Sequence, residues 1–262
     1  MKATVFLGGG RITSALVAGL RLARYKGPII VHDRHPRKLK ELQRAYGVTA
    51  EPNLQNAVCK AGLLIVAVRP QSSAELLEKI GEINRPLTAV SLAAGVPLSK
   101  LRGSLGPQVK WVRAMPSPVC RIGRGLTALT FDRGLSRTAR REVRSLFSLV
   151  GQVLEIPENK FDAFTVTYSS SHGYHALATL AEAAKNTGLD RKTALIAAAH
   201  ALADGILAWR EGGMSLENLL REAATPGGIA ATVMSSMDAN GYRKTVDRGL
   251  KAGIRRARLN AK

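Results

Sequence analysis

The sequence predicts an α/β domain over residues 1–158, built on a doubly wound, mostly parallel sheet, followed by an all-α domain over residues 159–262. Three observations carry that prediction. A short apolar strand at the N-terminus runs through three glycines into an amphipathic helix. Short apolar segments then alternate with helical ones as far as residue 157, the rhythm of a sheet wound with helices on both faces. After Pro157-Glu158-Asn159 the strand segments stop, and only helical periodicity remains.

The first strand is Ala3–Leu7, and it ends in Gly8-Gly9-Gly10. Gly8 permits a tight strand-to-helix turn, and Gly10 lets the backbone approach a pyrophosphate. The helix starting near Arg11 and Ile12 aims its free N–H groups and the positive end of its dipole at the anion. A third glycine would complete the usual fingerprint; Thr13 stands there, small enough for close helix–strand packing. The second strand, Ile29–His32, runs into Asp33, an acid at the distance where a dinucleotide ribose is read. Further strands are predicted at residues 63–68, 88–92, 109–112, 126–131 and 153–156. Helical composition covers residues 36–46, 54–61 and 72–80, and a helix follows the hydroxyl caps from Ser136. The second half reads as helices at 160–168, 174–187, 191–210, 215–223, 228–237 and 242–258. In the longest of them Leu195, Ala198, Leu202, Ile206 and Trp209 keep the spacing of a buried face. So much small and apolar surface in about 100 residues predicts burial against a second copy, hence a homodimer at least.

The 262 residues carry a net charge of +20, with 25 Lys and Arg against 10 Asp and Glu over residues 1–158 and 14 against 9 over 159–262. A basic field draws in anionic cofactors and substrates. The basic residues are scattered along the chain and no nucleic-acid module accompanies them, so a nucleic-acid partner is not expected. No apolar run approaches the roughly 20 residues of a membrane span, and no secretory leader is recognisable at the start, which places the protein in the cytoplasm. Cys59 and Cys120 lack metal-ligand or disulfide spacing.

Several segments fall where strands end and open α/β sheets bind ligands. Ala67-Val68-Arg69-Pro70 should line the pyrophosphate and ribose, with Arg69 supplying a cation. Ala93-Ala94-Gly95 and Met115-Pro116-Ser117 offer small side chains and backbone as walls for a flat ring. Asp33 points both ways on cofactor choice. Its carboxylate suits the 2′-hydroxyl of NAD, whereas Arg34, Arg37 and Lys38 suit the 2′-phosphate of NADP.

Taken together, the ordered motifs Phe6-Leu-Gly-Gly-Gly10, Val66-Ala-Val-Arg-Pro-Gln71, Ser91-Leu-Ala-Ala-Gly-Val96, Val112-Arg-Ala-Met-Pro116, Gly125-Leu-Thr127 and Thr225-Pro-Gly-Gly228 resemble the pyrroline-5-carboxylate reductase family from end to end. The resemblance implies an N-terminal Rossmann domain, an all-α C-terminal dimerisation domain, and NAD(P)H-dependent reduction of an anionic cyclic imine to L-proline. On the cofactor side it implies roles for Gly8, Gly10, Arg11, Ile12, Asp33, Arg34, Asn53, Ala67, Val68, Arg69, Pro70, Ala93, Gly95, Met115 and Pro116. On the substrate side it implies Ser170, Thr225, Gly227, Gly228, Ile229 and Ala230.

The substrate side departs from the family pattern. Thr-Val-Thr-Tyr-Ser-Ser-Ser-His-Gly-Tyr at residues 165–174 replaces the family's Ser-Gly-Ser-Gly-Pro-Ala-Tyr run, and in it Thr165, Ser170 and Tyr174 align with family residues. Ala230 stands where the family carries a threonine, while Thr225 keeps a hydroxyl. Imine reduction requires a proton at nitrogen as hydride reaches carbon. Thr165, Thr225, Tyr174 and His172 are the candidate catalytic groups, with Tyr168 a further proton source. His172 and His175 lack a third ligand, so no metal is expected. The departures leave two alternatives open, a reductase of a different imine and a nucleotide-binding paralogue that has lost catalysis.

Overall fold

Strand β1, Ala3–Leu7, is buried at every residue, because it lies inside the sheet with a helical layer on each face. It pairs in parallel with β2, Ile29–His32, on one side and with β4, Ala61–Val66, on the other. The computed structural model describes residues 3–260. The remaining strands are β3, Thr49–Ala50, β5, Leu87–Ser91, β6, Val109–Pro116, β7, Gly125–Phe131, and β8, Gly151–Glu155. Among the described residues they form one eight-stranded sheet in the order β3-β2-β1-β4-β5-β6-β7-β8. Every pairing is parallel except β6 with β7. The sheet therefore agrees with the doubly wound, mostly parallel architecture expected from the sequence, with its reversal of strand order between β1 and β4.

Helices α1, Arg11–Leu22, α2, Pro36–Tyr46, α3, Leu54–Cys59, α4, Ser73–Ile80, α5, Leu98–Leu101, and α6, Arg137–Ser148, cover the sheet. Two cores result. One joins Leu64, Val66, Ala89 and Trp111 to Ala57, Leu77 and Leu101; the other joins Phe6, Ile65, Val90 and Val112 to Leu16, Leu42 and Phe147. Neighbours in one strand, such as Leu64 and Ile65, thus serve opposite cores, as the period of two requires.

Most predicted strands are met within about two residues, and two strands depart further from the sequence reading. The strand β3 is only two residues long and leaves no periodicity to detect. The strand β6 runs to Pro116 instead of ending at Val112, because β7 turns back alongside it and pairs as far as Pro116 with Thr127.

The second half contains α7, Glu158–Thr167, α8, Ser170–Asn186, α9, Arg191–Glu211, α10, Leu216–Ala223, α11, Ile229–Ala239, and α12, Tyr242–Leu259. Compactness divides the chain at a different point from the loss of strands at 158. One unit comprises the residues up to Val166 together with those from Gly253, and the other is Thr167–Ala252. Two anchors explain the first unit. Arg113 of β6 is ion-paired to Glu158 and Asp162 of α7, and Asn260, just past α12, donates to the Ala94 carbonyl at 3.1 Å.

In the second unit, α8, α10 and α11 bury no residue, and α9 buries only Ala194 and Ala198. Leu195, Ile206 and Trp209, on the face predicted to be buried, are about half exposed within one chain, at 49%, 55% and 49%. The described residues include no helix long and apolar enough to cross a membrane and no group of His, Cys, Asp and Glu able to hold a metal.

Cys120 is buried between α1 and the sheet, and burial pushes its thiol up to about 11, whereas Cys59 is exposed. Reaction with an aromatic disulfide at neutral pH should therefore modify one thiol per native chain, Cys59, and a second only after unfolding. The raised folded value also has a stability consequence. Its contribution is intact below the unfolded thiol value of about 8.5 and declines as pH climbs from there towards 11. Thermal melts across that interval should show a Cys120→Ala variant losing less stability than the parent.

Candidate active site

The crevice opens where β1 and β4 end side by side. The Ala67 N–H donates to the Leu7 carbonyl at 2.8 Å, and the Gly8 N–H donates to the His32 carbonyl at 2.7 Å. Gly8 has φ +109°, and a Cβ there would lie 2.7 Å from the Ala67 carbonyl oxygen. Only glycine lets the chain turn into α1 at this spot. Thr13, in the third-glycine position, is fully buried and donates its hydroxyl to the Gly8 carbonyl at 2.5 Å. It therefore pins the turn as well as fitting the space.

Gly10 is different. It caps α1 with extended backbone and no side-chain acceptor, and a Cβ built on it meets nothing within 4 Å. The first-turn N–H groups of α1, those of Arg11 and Ile12 among them, have no intrahelical acceptor. The result is an open concavity lined by backbone donors at a helix N-terminus, at the reversal of strand order. Those features fit a dinucleotide pyrophosphate.

Asp33 is engaged inside the protein. Its Oδ2 accepts from the Gly9 N–H at 2.7 Å, its Oδ1 accepts from the His35 N–H at 2.8 Å, and Lys38 lies 3.7 Å away. The carboxylate thus braces the glycine turn against the end of β2, a role that residue spacing alone did not reveal. Arg34 is exposed beside it, with Nε 3.3 Å from His35 Nε2. Asn53 caps α3, its side chain accepting from the Asn56 N–H at 2.9 Å.

Val68, Arg69 and Pro70 follow β4 into a short 3₁₀ turn, with Arg69 exposed. Ala93 is buried just beyond β5, its N–H 3.3 Å from Ser91 Oγ. Gly95 has φ +78°, and a Cβ there would collide with the Ala257 carbonyl of α12. That glycine is accounted for by the C-terminal helix, without a ring stacked against it. Met115 and Pro116 close the far end of β6, with Pro116 buried and Met115 partly exposed.

Thr225-Pro226-Gly227-Gly228 forms a four-residue turn. The Gly228 N–H donates to the Thr225 carbonyl at 2.8 Å, and Gly227 has φ +76°. Pro226 and Gly227 occupy the positions that their restricted and permissive backbones favour in such a turn. Gly228 then caps α11 without a side-chain acceptor, leaving first-turn N–H groups available. Ile229 is 87% exposed, and Ala230 follows it on the same turn. A hydroxyl that the sequence reading did not single out, Thr232, bonds back to the Gly228 carbonyl at 3.1 Å.

The helix expected from Tyr174 begins earlier, at Ser170, with Ser169 as cap. Ser170 and Tyr174 stand four residues apart on one face of α8, and His172 lies on the opposite side. The candidate proton donors are therefore separated into two faces. Thr165 lies on α7 in the first unit, its hydroxyl donating to the Phe161 carbonyl at 2.8 Å. A cluster missed in the sequence surrounds Arg113, the buried one of the two charges on β6, facing two acids spaced four apart on α7. That spacing was the available signal.

Comparison with known proteins agrees with this geometry. Residues 158–259 match the family model described as pyrroline-5-carboxylate reductase dimerisation, and residues 4–95 match one described as NADP oxidoreductase coenzyme F420-dependent. The chain is 30% identical over 287 residues to a pyrroline-5-carboxylate reductase of Mycobacterium tuberculosis, covering 98% of this chain and 96% of the other. It is 29% identical over 256 residues to that of Synechocystis sp., covering 96% and 95%. Among solved structures, a pyrroline-5-carboxylate reductase from Coxiella burnetii superposes with TM-score 0.88 at 23% identity over 99% of this chain and 98% of the other. A Plasmodium falciparum pyrroline carboxylate reductase with NADP bound gives TM-score 0.86 at 20% identity over 99% and 98%.

Two substitutions test the cradle. Gly10→Ala should weaken NADPH and NADH binding at least about tenfold by calorimetry while lowering the melting temperature only modestly, by the weaker helix cap, since the added Cβ meets no protein atom within 4 Å. Asp33→Ala should weaken both cofactors together, because it releases the Gly9 brace; a loss confined to NADH would instead make the carboxylate a ribose reader.

Proposed function

Because the chain belongs to the pyrroline-5-carboxylate reductase family, we propose that it reduces the C=N bond of 1-pyrroline-5-carboxylate, with NADPH or NADH as donor, giving L-proline. The observation that carries this reading is the phosphate cradle at Gly8–Gly10, intact at the β1/β4 crevice of a chain matched to such reductases over nearly its whole length. Bound reduced nicotinamide supplies the hydride that adds to the imine carbon, while the imine nitrogen gains a proton.

The chain's own residues supply the rest. The N–H groups opening α11 after Gly228 suit the substrate carboxylate, as helix N-termini suit anions, and Thr225 and Ile229 frame that position. The small side chain of Ala93 leaves room for the nicotinamide, with Met115 and Pro116 as an apolar wall beside it. Exposed Arg34, with Arg37 and Lys38 at the start of α2, favours a 2′-phosphate, so NADPH is the preferred donor. Tyr174 shares its helix face with Ser170, which supports it as the proton source over His172. The basic charge draws in both anionic partners. A second copy covers the apolar face of α9, making the working protein a homodimer or larger homo-oligomer, and its place is the cytoplasm.

One feature favours a second reading. Ala230 lacks the hydroxyl that the family resemblance calls for, and β-carbons at Ser169, Ser171 and His172 fill a glycine-rich segment, which fits a differently shaped imine. Oxidation of NADPH with 1-pyrroline-5-carboxylate and with a set of other cyclic imines distinguishes the two; binding of cofactor without turnover on any of them would sink both. Ala230→Thr should raise kcat/KM for 1-pyrroline-5-carboxylate about tenfold, the return expected from one added hydrogen bond. Tyr174→Phe and His172→Ala, compared from about pH 5 to 9, identify the proton donor: the variant that loses roughly 100-fold in kcat is the one. Full activity in both would remove either from the mechanism.

A further inference from the structure

Arg113 is a cation in the middle of the sheet, 1% exposed. Its NH1 donates to Glu158 Oε1 at 2.9 Å, its NH2 donates to Asp162 Oδ1 at 2.6 Å, and the guanidinium lies 4.4 Å over the ring of Phe161. Glu158 Oε1 also accepts from the Leu98 N–H at 3.0 Å, the first amide of α5. One side chain thereby joins β6, α5 and the first two turns of α7. The arrangement leaves Arg113 Nε and Glu158 Oε2 buried without partners among the described residues. A stabilising role alone explains it poorly, since well-packed apolar residues commonly replace a buried arginine paired to carboxylates, here partly exposed, without loss.

Each element so joined leads to the candidate site. Two residues beyond Arg113 is Met115, at the crevice end of β6. Across the ladder Arg113 pairs with Ser91, from which the chain runs through Ala93 to α5. On α7, Phe161 lies under the guanidinium, and its carbonyl holds the Thr165 hydroxyl at 2.8 Å. All these contacts lie within the first compact unit.

We propose that Arg113 is a positioning residue whose guanidinium, clamped between Glu158 and Asp162 over Phe161, holds Thr165 at a set distance from the nicotinamide walls at Ala93 and Met115. The inference rests on the reading of Thr165 as a substrate-site residue. Arg113 touches neither cofactor nor substrate. It acts by fixing where one hydroxyl stands relative to the ring that gives up hydride, and a misplacement near 1 Å at such a point costs about 100-fold in rate.

The test uses the full chain, with rates expressed per NADPH-binding site so that unfolded protein is not counted. Thr165→Ala, Arg113→Met and their double variant are measured for kcat, KM and NADPH affinity. The expected result is a kcat lower by about 100-fold in each single variant, NADPH affinity unchanged within about twofold, and a double variant no worse than the singles. Should Arg113→Met fail to fold, Asp162→Leu replaces it. Asp162→Asn, which keeps an oxygen for the guanidinium, should then restore most of kcat, as a purely structural loss would not. An Arg113 or Asp162 effect that multiplies with that of Thr165→Ala, or that falls on NADPH affinity, overturns the proposal. A Thr165→Ala variant with full kcat instead removes the site reading on which it stands.

Discussion

The molecule is organised around the close approach of β1 to β4 at Gly8 and Ala67. Parallel strands with helices on both faces can open a binding crevice only where the order of strands reverses, and here that point lies between these two strands. The approach leaves no room for a side chain at Gly8, whose backbone must also adopt a left-handed conformation. Thr13 and Asp33 then secure the turn from two directions, one by bonding the Gly8 carbonyl and the other by accepting from Gly9. The helix that follows starts with its amides facing an open space, and the chemistry of the cofactor half is a consequence of that geometry.

Away from the crevice, the structure spends unusual chemistry on keeping elements in register. A buried arginine bound to two carboxylates is an expensive way to join a strand to a helix. Its Phe161 neighbour supplies a π face as well as packing. At the other end of the chain Asn260 and Ala257 meet the Ala94–Gly95 loop, so the last turn of α12 belongs with the sheet although the body of the helix does not. One anchor ends on the loop after β5 and the other on β6 itself.

The helices of the second unit present the reverse situation. Within one chain they bury few residues completely, and large side chains such as Trp209 and Ile206 remain half exposed. A cooperative helical unit of this size requires apolar burial to offset its ordering entropy. The match to a dimerisation model over residues 158–259 supplies the reason that the surface is left open.

Much of this was legible in the linear sequence, because it depends on local rules. Short apolar runs marked most of the strands, capping residues and glycines marked helix ends, and the glycine turn announced an anion cradle. Where the signal required a partner strand or a distant side chain, the sequence was silent. The two residues of β3 have no period, β6 extends to Pro116 only because β7 runs antiparallel to it, and the start of α8 at Ser170 overrode a serine-rich stretch that lacks helix-forming residues. Within the site, Asp33 read as a candidate ribose contact because type and spacing are local, and only the fold shows that its two oxygens also accept from the Gly9 and His35 amides. Gly95 read as room for a ring, yet the carbonyl of Ala257, far along the chain, already demands it. The sequence by itself determined most of the elements and that one end of the sheet receives a dinucleotide, since both follow from residues a few positions apart. Only the tertiary structure decided that Asp33 reaches Gly9, that Arg113 binds Glu158 and Asp162, and that Asn260 reaches Ala94, because those pairings join residues from 24 to 166 positions apart.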